Sequence, residues 1–116
     1  ETKLASVALL PGTIVNIVDD KFAVSADGTG QLYAVAAGYN QGLGVNDNIP
    51  SGETAHAEYV SPNRELAVRA SAGTYKKDDQ LEVAAGNVTA GSTNVVAYSQ
   101  EDVTLEAGEL LRIRIK

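Results

Sequence analysis

The stretch GELLRIRIK at residues 108–116 decides the fold of this chain. Its aliphatic residues alternate strictly with its basic residues, namely Leu111, Ile113 and Ile115 with Arg112, Arg114 and Lys116. Because successive side chains of a β-strand point to opposite faces, this period of two predicts a strand with one buried face and one solvated face. Similar alternation recurs along the chain, so we predict an all-β protein.

The turn that precedes this last strand has a counterpart in the first half of the chain. The first set of residues is Asp47, Ile49 and Gly52-Glu53, and the second is Asp102, Leu105 and Gly108-Glu109. In both, a Gly-Glu turn precedes an alternating run, because Gly supplies the positive φ of a tight turn. A duplication and the reuse of one turn chemistry both account for the echo, and the sequence leaves both open.

The remaining strands are read from short β-rich runs between turn residues. We predict a hairpin from residues 13–18 and 21–25 around Asp19-Asp20, and a second hairpin from residues 53–60 and 65–70. Further strands are predicted at residues 31–37, 81–84, 87–89, 94–99 and 109–116. About eight short strands, with turns about every ten residues, are typical of a small barrel or sandwich.

The first eleven residues, ETKLASVALLP, are apolar but have no clear period. Since Pro11 stops any helix, we expect an extended N-terminal arm over residues 1–11 and one β-domain over residues 12–116. An ordinary edge strand or a short helix at the start remains open. The longest predicted loop covers residues 38–50, and long loops on small scaffolds often carry contacts.

Composition excludes several classes of partner. The net charge of −6 repels phosphate backbones, so we expect no nucleic-acid partner. The chain has no Cys, which removes disulfides and thiolate metal sites. No run approaches the roughly 18 apolar residues of a membrane span, so we expect no membrane partner.

The residues with metal-binding chemistry are few. His56 is the single histidine, and Glu58 lies on the same face of its predicted strand, but catalytic zinc usually has three protein ligands. Asn46-Asp47-Asn48 offers oxygen ligands without the spacing or the closing Glu of a calcium loop. We therefore predict no metal site and no cofactor.

Three adjacent acidic pairs raise the question of a glycosidase, in which two carboxylates flank a scissile bond. They are Asp19-Asp20, Asp78-Asp79 and Glu101-Asp102. Neighbouring side chains usually point apart, so each pair is better explained as a solvated turn. We predict no catalytic residues and no enzymatic activity.

Four stretches of the chain carry a family resemblance: LLPGTIVNI at residues 9–17, GTYKKDDQLEVAAG at 73–86, VVAYSQED at 95–102 and AGELLRIRI at 107–115. Together they resemble the head decoration, or cement, proteins of tailed bacteriophages, of the lambda-like siphophage type. In that family, small β-rich subunits commonly assemble as trimers outside the capsid, over junctions between major capsid proteins. There they lock the expanded shell against the pressure of internal DNA.

The resemblance implies a homotrimer that binds the major capsid protein on the outer surface of the virion, after synthesis in the host cytoplasm. It also implies that the N-terminal arm binds the capsid, through Leu4, Val7, Leu9, Leu10 and Pro11. The alternative is a carbohydrate-binding or adhesive β module on a phage or bacterial surface, which needs an aromatic platform. Five tyrosines could supply one, Tyr33, Tyr39, Tyr59, Tyr75 and Tyr98, although the chain has no Trp.

Overall fold

The computed structural model describes residues 1–38 and 41–116, and the protein is all-β, as predicted. The described residues form twelve strands, more than the about eight expected. They are β1 (Thr2–Ala5), β2 (Ile14–Val18), β3 (Lys21–Val24), β4 (Tyr33–Val35), β5 (Thr54–Tyr59), β6 (Glu65–Ala70), β7 (Gly73–Tyr75), β8 (Gln80–Ala84), β9 (Asn87–Ala90), β10 (Ala97–Ser99), β11 (Val103–Leu105) and β12 (Glu109–Ile115).

Ten of the strands close into two barrels of the same topology. The first barrel has the order β1-β3-β2-β4-β5, and the second has the order β6-β9-β8-β10-β12. In each barrel the first strand runs parallel to the third strand in chain order, and the other pairs are antiparallel. The remaining strands, β7 and β11, pair as a two-stranded ribbon. The chain therefore presents one barrel topology twice in tandem.

The sequence echo lies at corresponding places in the two barrels. Gly52-Glu53 lies directly before β5, and Gly108-Glu109 lies at the start of β12; these are the fifth strands of their barrels. The Gly52 N–H donates to the Ala5 carbonyl at 2.8 Å, and the Gly108 N–H donates to the Ala70 carbonyl at 2.9 Å. Ala5 and Ala70 end the first strands of the two barrels, so the echo marks a structural repeat.

The predicted hairpin around Asp19-Asp20 is confirmed, and the structure shows a second tight hairpin at Ala85-Gly86. Asp19-Asp20 joins β2 to β3 with φ of 51° and 64°, and Ala85-Gly86 joins β8 to β9 with φ of 48° and 81°. Positive φ at both central residues is the type I′ geometry that matches the twist of the flanking strands.

The predicted second hairpin, between residues 53–60 and 65–70, is wrong. Strand β5 pairs with β1 and β4, whereas β6 pairs with β9 and β12. The turn at residues 61–63 is present, with φ of 65° at Asn63, but it connects the two barrels. Alternation identifies a strand but does not specify which strand it pairs with, and the predicted pairing is wrong for this reason.

The predicted N-terminal arm is also wrong as a separate element. Residues 2–5 form β1, which lies between β3 and β5 and closes the first barrel. Ala5 is buried in that barrel, and the predicted boundary at residue 12 falls between two of its strands. A strand of four residues has too few side chains to show a clear period, so the sequence carries no periodic signal for it.

Each barrel has an aliphatic core, and the two cores adjoin. Strands β2 and β4 are buried on both faces, since Val15 and Tyr33 pack in the first barrel while Ile14 and Ala34 pack with the second. The last strand behaves as predicted, with Leu111, Ile113 and Ile115 buried and Arg112, Arg114 and Lys116 exposed. Within residues 1–38 and 41–116 there is no helix with the length and apolar character needed to cross a membrane.

Candidate functional site

The five residues predicted to bind a capsid are divided between surface and interior. The side chains of Leu4 and Val7 are 44% and 46% exposed. Leu9 is 1% exposed and forms a β-bridge with Ile49, while Leu10 is half-buried and Pro11 is buried. Of the five, Leu4 and Val7 therefore offer a surface to a partner.

Leu4 is the centre of a row of outward-facing side chains across the first barrel. It pairs with Lys21 on β3 and with Thr54 on β5, and Lys21 pairs in turn with Val18 on β2. Directly paired residues carry their side chains on the same face of a sheet. All four are exposed, so the row places two aliphatic side chains, Leu4 and Val18, beside a lysine.

An open hollow of about 390 Å³ lies over this row. We call it the barrel-one hollow, and it is lined by Thr2, Lys3, Leu4, Asp19, Asp20, Lys21 and Thr54. The Lys3 ammonium donates to the Asp20 carboxylate at its rim. That hydrogen bond and the charge of Asp20 raise the pKa of Lys3 above its ordinary value. The hollow thus combines an aliphatic centre with a rim of both charge signs.

The position that corresponds to Leu4 in the second barrel is Arg69. Leu4 precedes Ala5 and pairs with Thr54 on β5, and Arg69 precedes Ala70 and pairs with Leu110 on β12. Arg69 is only 5% exposed, and this burial lowers the pKa of its guanidinium.

The partners of Arg69 that the structure describes are all uncharged oxygens. Its Nε donates to the Pro11 carbonyl at 2.7 Å, and one terminal nitrogen donates to the Gly108 carbonyl at 2.9 Å. The other terminal nitrogen donates to the Val45 carbonyl, and the Asn46 amide oxygen lies 3.4 Å from both. Arg69 therefore fastens both the β1–β2 connection and the β4–β5 loop of the first barrel to the second barrel.

The turn between β8 and β9 completes this contact between the barrels. The Gly86 N–H donates to the Ser25 carbonyl at 2.7 Å, and the Ala85 N–H donates to the Ala26 carbonyl at 2.9 Å. The Gly86 carbonyl accepts from the Ile14 N–H at 2.8 Å. Residues 10–14, which we call the first connector, thus cover Arg69, the residue of the second barrel that corresponds to Leu4 at the centre of the open row.

His56 and Glu58 lie on the exposed face of β5, as their spacing predicts. The His56 Nδ1 is 3.3 Å from the Thr2 hydroxyl, and Glu58 forms an ion pair with Arg64. Across residues 1–38 and 41–116, no group of three or more His, Asp or Glu side chains is arranged to hold a metal ion.

The acidic pairs are part of turns and connections. Asp19-Asp20 forms a hairpin turn, the Asp79 carboxylate accepts from the Lys76 N–H at 2.8 Å, and Asp102 accepts from the Lys77 N–H at 2.8 Å. The Asp79 carboxylate orders the backbone of its own turn, and the Asp102 carboxylate joins its segment to the connection between β7 and β8.

Two of the candidate calcium ligands at residues 46–48 have other hydrogen-bond partners. The Asp47 carboxylate accepts from the Gly44 N–H at 2.7 Å, and Asn46 faces the Arg69 guanidinium. Both lie in the predicted loop at residues 38–50, of which residues 39–40 lie outside the described part. The loop does carry a contact, but the contact described here is made with the second barrel of the same chain.

The tyrosines do not form a common platform in the described structure. Tyr33 and Tyr75 are buried, Tyr98 is half-buried, and Tyr39 lies outside the described residues. Tyr59 is 48% exposed, with its ring 5.8 Å from that of Tyr33. Burial raises the pKa of Tyr75, whose hydroxyl donates to the Ser71 carbonyl at 2.7 Å.

Sequence reasoning missed Arg69, because alternation places it on the outer face of β6 with the other polar residues. It is on that face, but the first connector covers it. The repeated Gly-Glu turn was the one signal that could have aligned Arg69 with Leu4. A scan against protein-family models and a search of the curated proteins found no match to this chain.

Proposed function

We propose that this protein decorates and stabilises the head of a tailed bacteriophage, as a homotrimer on the outer surface of the virion that bridges major capsid protein subunits. The observation that carries the proposal is the pair of exposed aliphatic side chains Leu4, which lines the barrel-one hollow, and Val7, three residues further along the chain. The resemblance of the sequence to head decoration proteins supplies the partner.

The physical case is one of shape and apolar contact. Leu4 and Val7 are already more than half buried, so covering the rest of each side chain, against the capsid or against another copy in the homotrimer, would contribute about 1 kcal/mol each. Closed barrels have no open sheet edge in their walls, so such a module keeps its shape when it is pressed between larger subunits. A net charge of −6 is compatible with a position on the outside of a shell, because the protein there does not contact the negatively charged genome. In this role the protein catalyses no reaction.

The test is co-sedimentation of the full chain with heads of its phage assembled without it. We expect Val7→Glu to weaken head binding about tenfold or more, because the contact would bury an unpaired carboxylate. The matched control is Tyr59→Glu, an equally exposed side chain at the far end of β5, which should bind heads as the wild type does. Equal head affinity of Val7→Glu and wild type would refute the proposed surface.

Point substitutions are preferred to removal of the N-terminal residues. Because β1 closes the first barrel, a deletion of residues 1–10 would open that barrel and would confuse unfolding with loss of binding. The melting temperature of each variant shows whether it is folded.

The same variants examine the carbohydrate-binding alternative, which rests on the exposed ring of Tyr59. Binding to a glycan array that is lost in Tyr59→Glu and kept in Val7→Glu would replace the proposed function with this one. Wild-type protein that binds no glycan and sediments with heads would support decoration.

A further inference from the structure

The two barrels of the chain meet head to tail. The first connector covers Arg69 at the centre of the outer row of the second barrel, while the corresponding Leu4 of the first barrel is exposed and lines the barrel-one hollow. We propose that a second copy of this chain places its second barrel in the hollow, and so repeats between copies the contact that joins the barrels within one copy.

The second barrel has a segment equivalent to the first connector at residues 76–80, which we call the second connector. The Gly12 N–H donates to the Val35 carbonyl at 2.7 Å, and the Asp78 N–H donates to the Ser99 carbonyl at 2.7 Å. Val35 and Ser99 end the equivalent strands β4 and β10. Gly12 and Asp78 also share a positive φ, of 88° and 71°. The two connectors therefore leave their barrels with the same backbone geometry.

The exposure of the two connectors is opposite. Pro11, Gly12 and Ile14 of the first connector are buried against the second barrel. The corresponding residues of the second connector, Lys77, Asp78 and Gln80, are exposed. Each copy therefore has one exposed connector and one open hollow. These surfaces are equivalent to the first connector and the surface around Arg69, which contact each other within the chain.

The centre of the contact changes character between the two barrels. Within the chain, the centre of the covered row is Arg69 and the turn beside it is Ala85-Gly86. In the open row, the centre is Leu4 and the turn is Asp19-Asp20. The covered surface therefore has its charged residue at the centre, whereas the open surface has charged residues at the rim. An apolar centre inside a polar rim is the usual anatomy of an interface between separately soluble chains.

The second connector has changed in a matching way. The uncharged Pro11-Gly12 of the first connector is replaced by Lys77-Asp78, and Lys76 precedes them. The second connector carries Lys76, Lys77, Asp78 and Asp79, and the hollow is lined by Lys3, Asp19, Asp20 and Lys21, so both surfaces carry both charge signs. Pairing of opposite charges across the contact would fix its orientation. The aliphatic stem of a lysine can also cover an apolar centre such as Leu4.

A contact of this kind joins two different surfaces, so it produces a closed ring if its rotation closes and a filament if it does not. The inference names the contact surface of the proposed homo-oligomer, and in that respect it rests on the proposed function. It requires no capsid, so its test is made with the purified chain alone.

The test uses two variants, each with one open surface blocked. Leu4→Glu puts a carboxylate at the centre of the hollow, and Lys77→Glu reverses the charge of the second connector. In sedimentation velocity, we expect wild type to assemble and each variant to sediment as a monomer, with a dissociation constant raised about tenfold or more. A mixture in equal amounts should form a dimer with one copy of each variant and nothing larger, because each variant keeps the surface that the other lacks.

Matched controls carry the same charge change elsewhere. Val7→Glu, which is exposed outside the hollow, and Lys116→Glu, which is exposed at the end of the chain, should assemble as wild type does. Wild type that stays monomeric up to about 1 mM overturns the inference. So do blocked variants that assemble normally, or a mixture of folded variants that stays monomeric. Val7→Glu that assembles yet still binds heads normally would refute the capsid surface and leave the inference standing.

Discussion

Leu4 and Arg69 occupy the same position in the two barrels, yet Leu4 is 44% exposed and Arg69 is 5% exposed. Each precedes the alanine that ends its strand and pairs with the fifth strand of its barrel. The difference arises because the first connector lies over Arg69, whereas no described residue lies over Leu4 in the same way. The contact between a connector and a barrel is thus made at Arg69 within the chain, whereas the equivalent surface at Leu4 is exposed.

Arg69 should be the most sensitive charged residue of the chain. Replacing it in Arg69→Met would leave the buried carbonyls of Pro11 and Gly108 without a donor, and we expect the free energy of unfolding to fall by about 3 kcal/mol. Urea denaturation measures the loss. Arg112→Met, on the exposed face of β12, is the matched control and should change stability by less than about 0.5 kcal/mol. Similar stability of both variants would show that Arg69 does not hold the barrels together.

Gly86 and Gly108 share a φ of 81°. Comparing the stability lost on substitution of each glycine by Ala therefore distinguishes backbone strain from steric clash between the barrels. A Cβ at Gly108 would meet no atom within 4 Å, so Gly108→Ala should cost only about 1–2 kcal/mol of backbone strain. A Cβ at Gly86 would lie 2.8 Å from side-chain carbons of Thr13 and Val24. Gly86→Ala should therefore lose a further about 1–3 kcal/mol in thermal or urea denaturation. Equal losses would contradict the tight packing of the turn on the first barrel.

The last strand should be indispensable for folding. Ile113 is fully buried, so Ile113→Ala should lower the free energy of unfolding by about 2–5 kcal/mol, while Lys116→Ala on the exposed face should have little effect. Deletion of residues 109–116 removes a strand from a closed barrel, and we expect no cooperative thermal transition. A truncated protein with an unchanged melt would refute this.

Tyr75 predicts a loss of stability at high pH. Burial raises its pKa in the folded state, so its contribution is present below its ordinary pKa of 10.0 and is lost as the pH rises through the folded value. Tyr75→Phe removes this group and also the hydrogen bond to Ser71, which costs about 1 kcal/mol at neutral pH. The difference in unfolding free energy between wild type and variant should shrink above pH 10. A difference that is constant across this pH range would show that folding does not raise the pKa of Tyr75.

Sequence reasoning predicts those parts of the fold whose residues carry a local signal. The last strand follows from its alternation, and the hairpin at Asp19-Asp20 follows from turn residues that tolerate positive φ. Strands β7 and β11 were not predicted, because each has only three residues and lies outside any longer β-rich run. A strand at the start of the chain was one of the alternatives left open, because the four residues of β1 show too little periodicity to decide. Which strands pair is decided by barrel closure, and that depends on contacts distant in sequence.

The candidate site could be predicted only in part, for the same reason. Exposed Leu4 and Val7 lie in the segment that the sequence selected, but Leu9 and Pro11 of that segment are interior residues of the first barrel. The sequence shows that these residues are apolar, but it does not show which of them lie in the core and which on the surface. The importance of Arg69 became visible only when the repeat aligned it with Leu4.

The most direct measurement of the proposed role is an electron-microscopy image of heads assembled without this protein and then mixed with it. The account predicts added density on the outer surface of the head, over the junctions between major capsid subunits, and no such density with Val7→Glu. Heads that remain bare with folded wild-type protein in excess would contradict it.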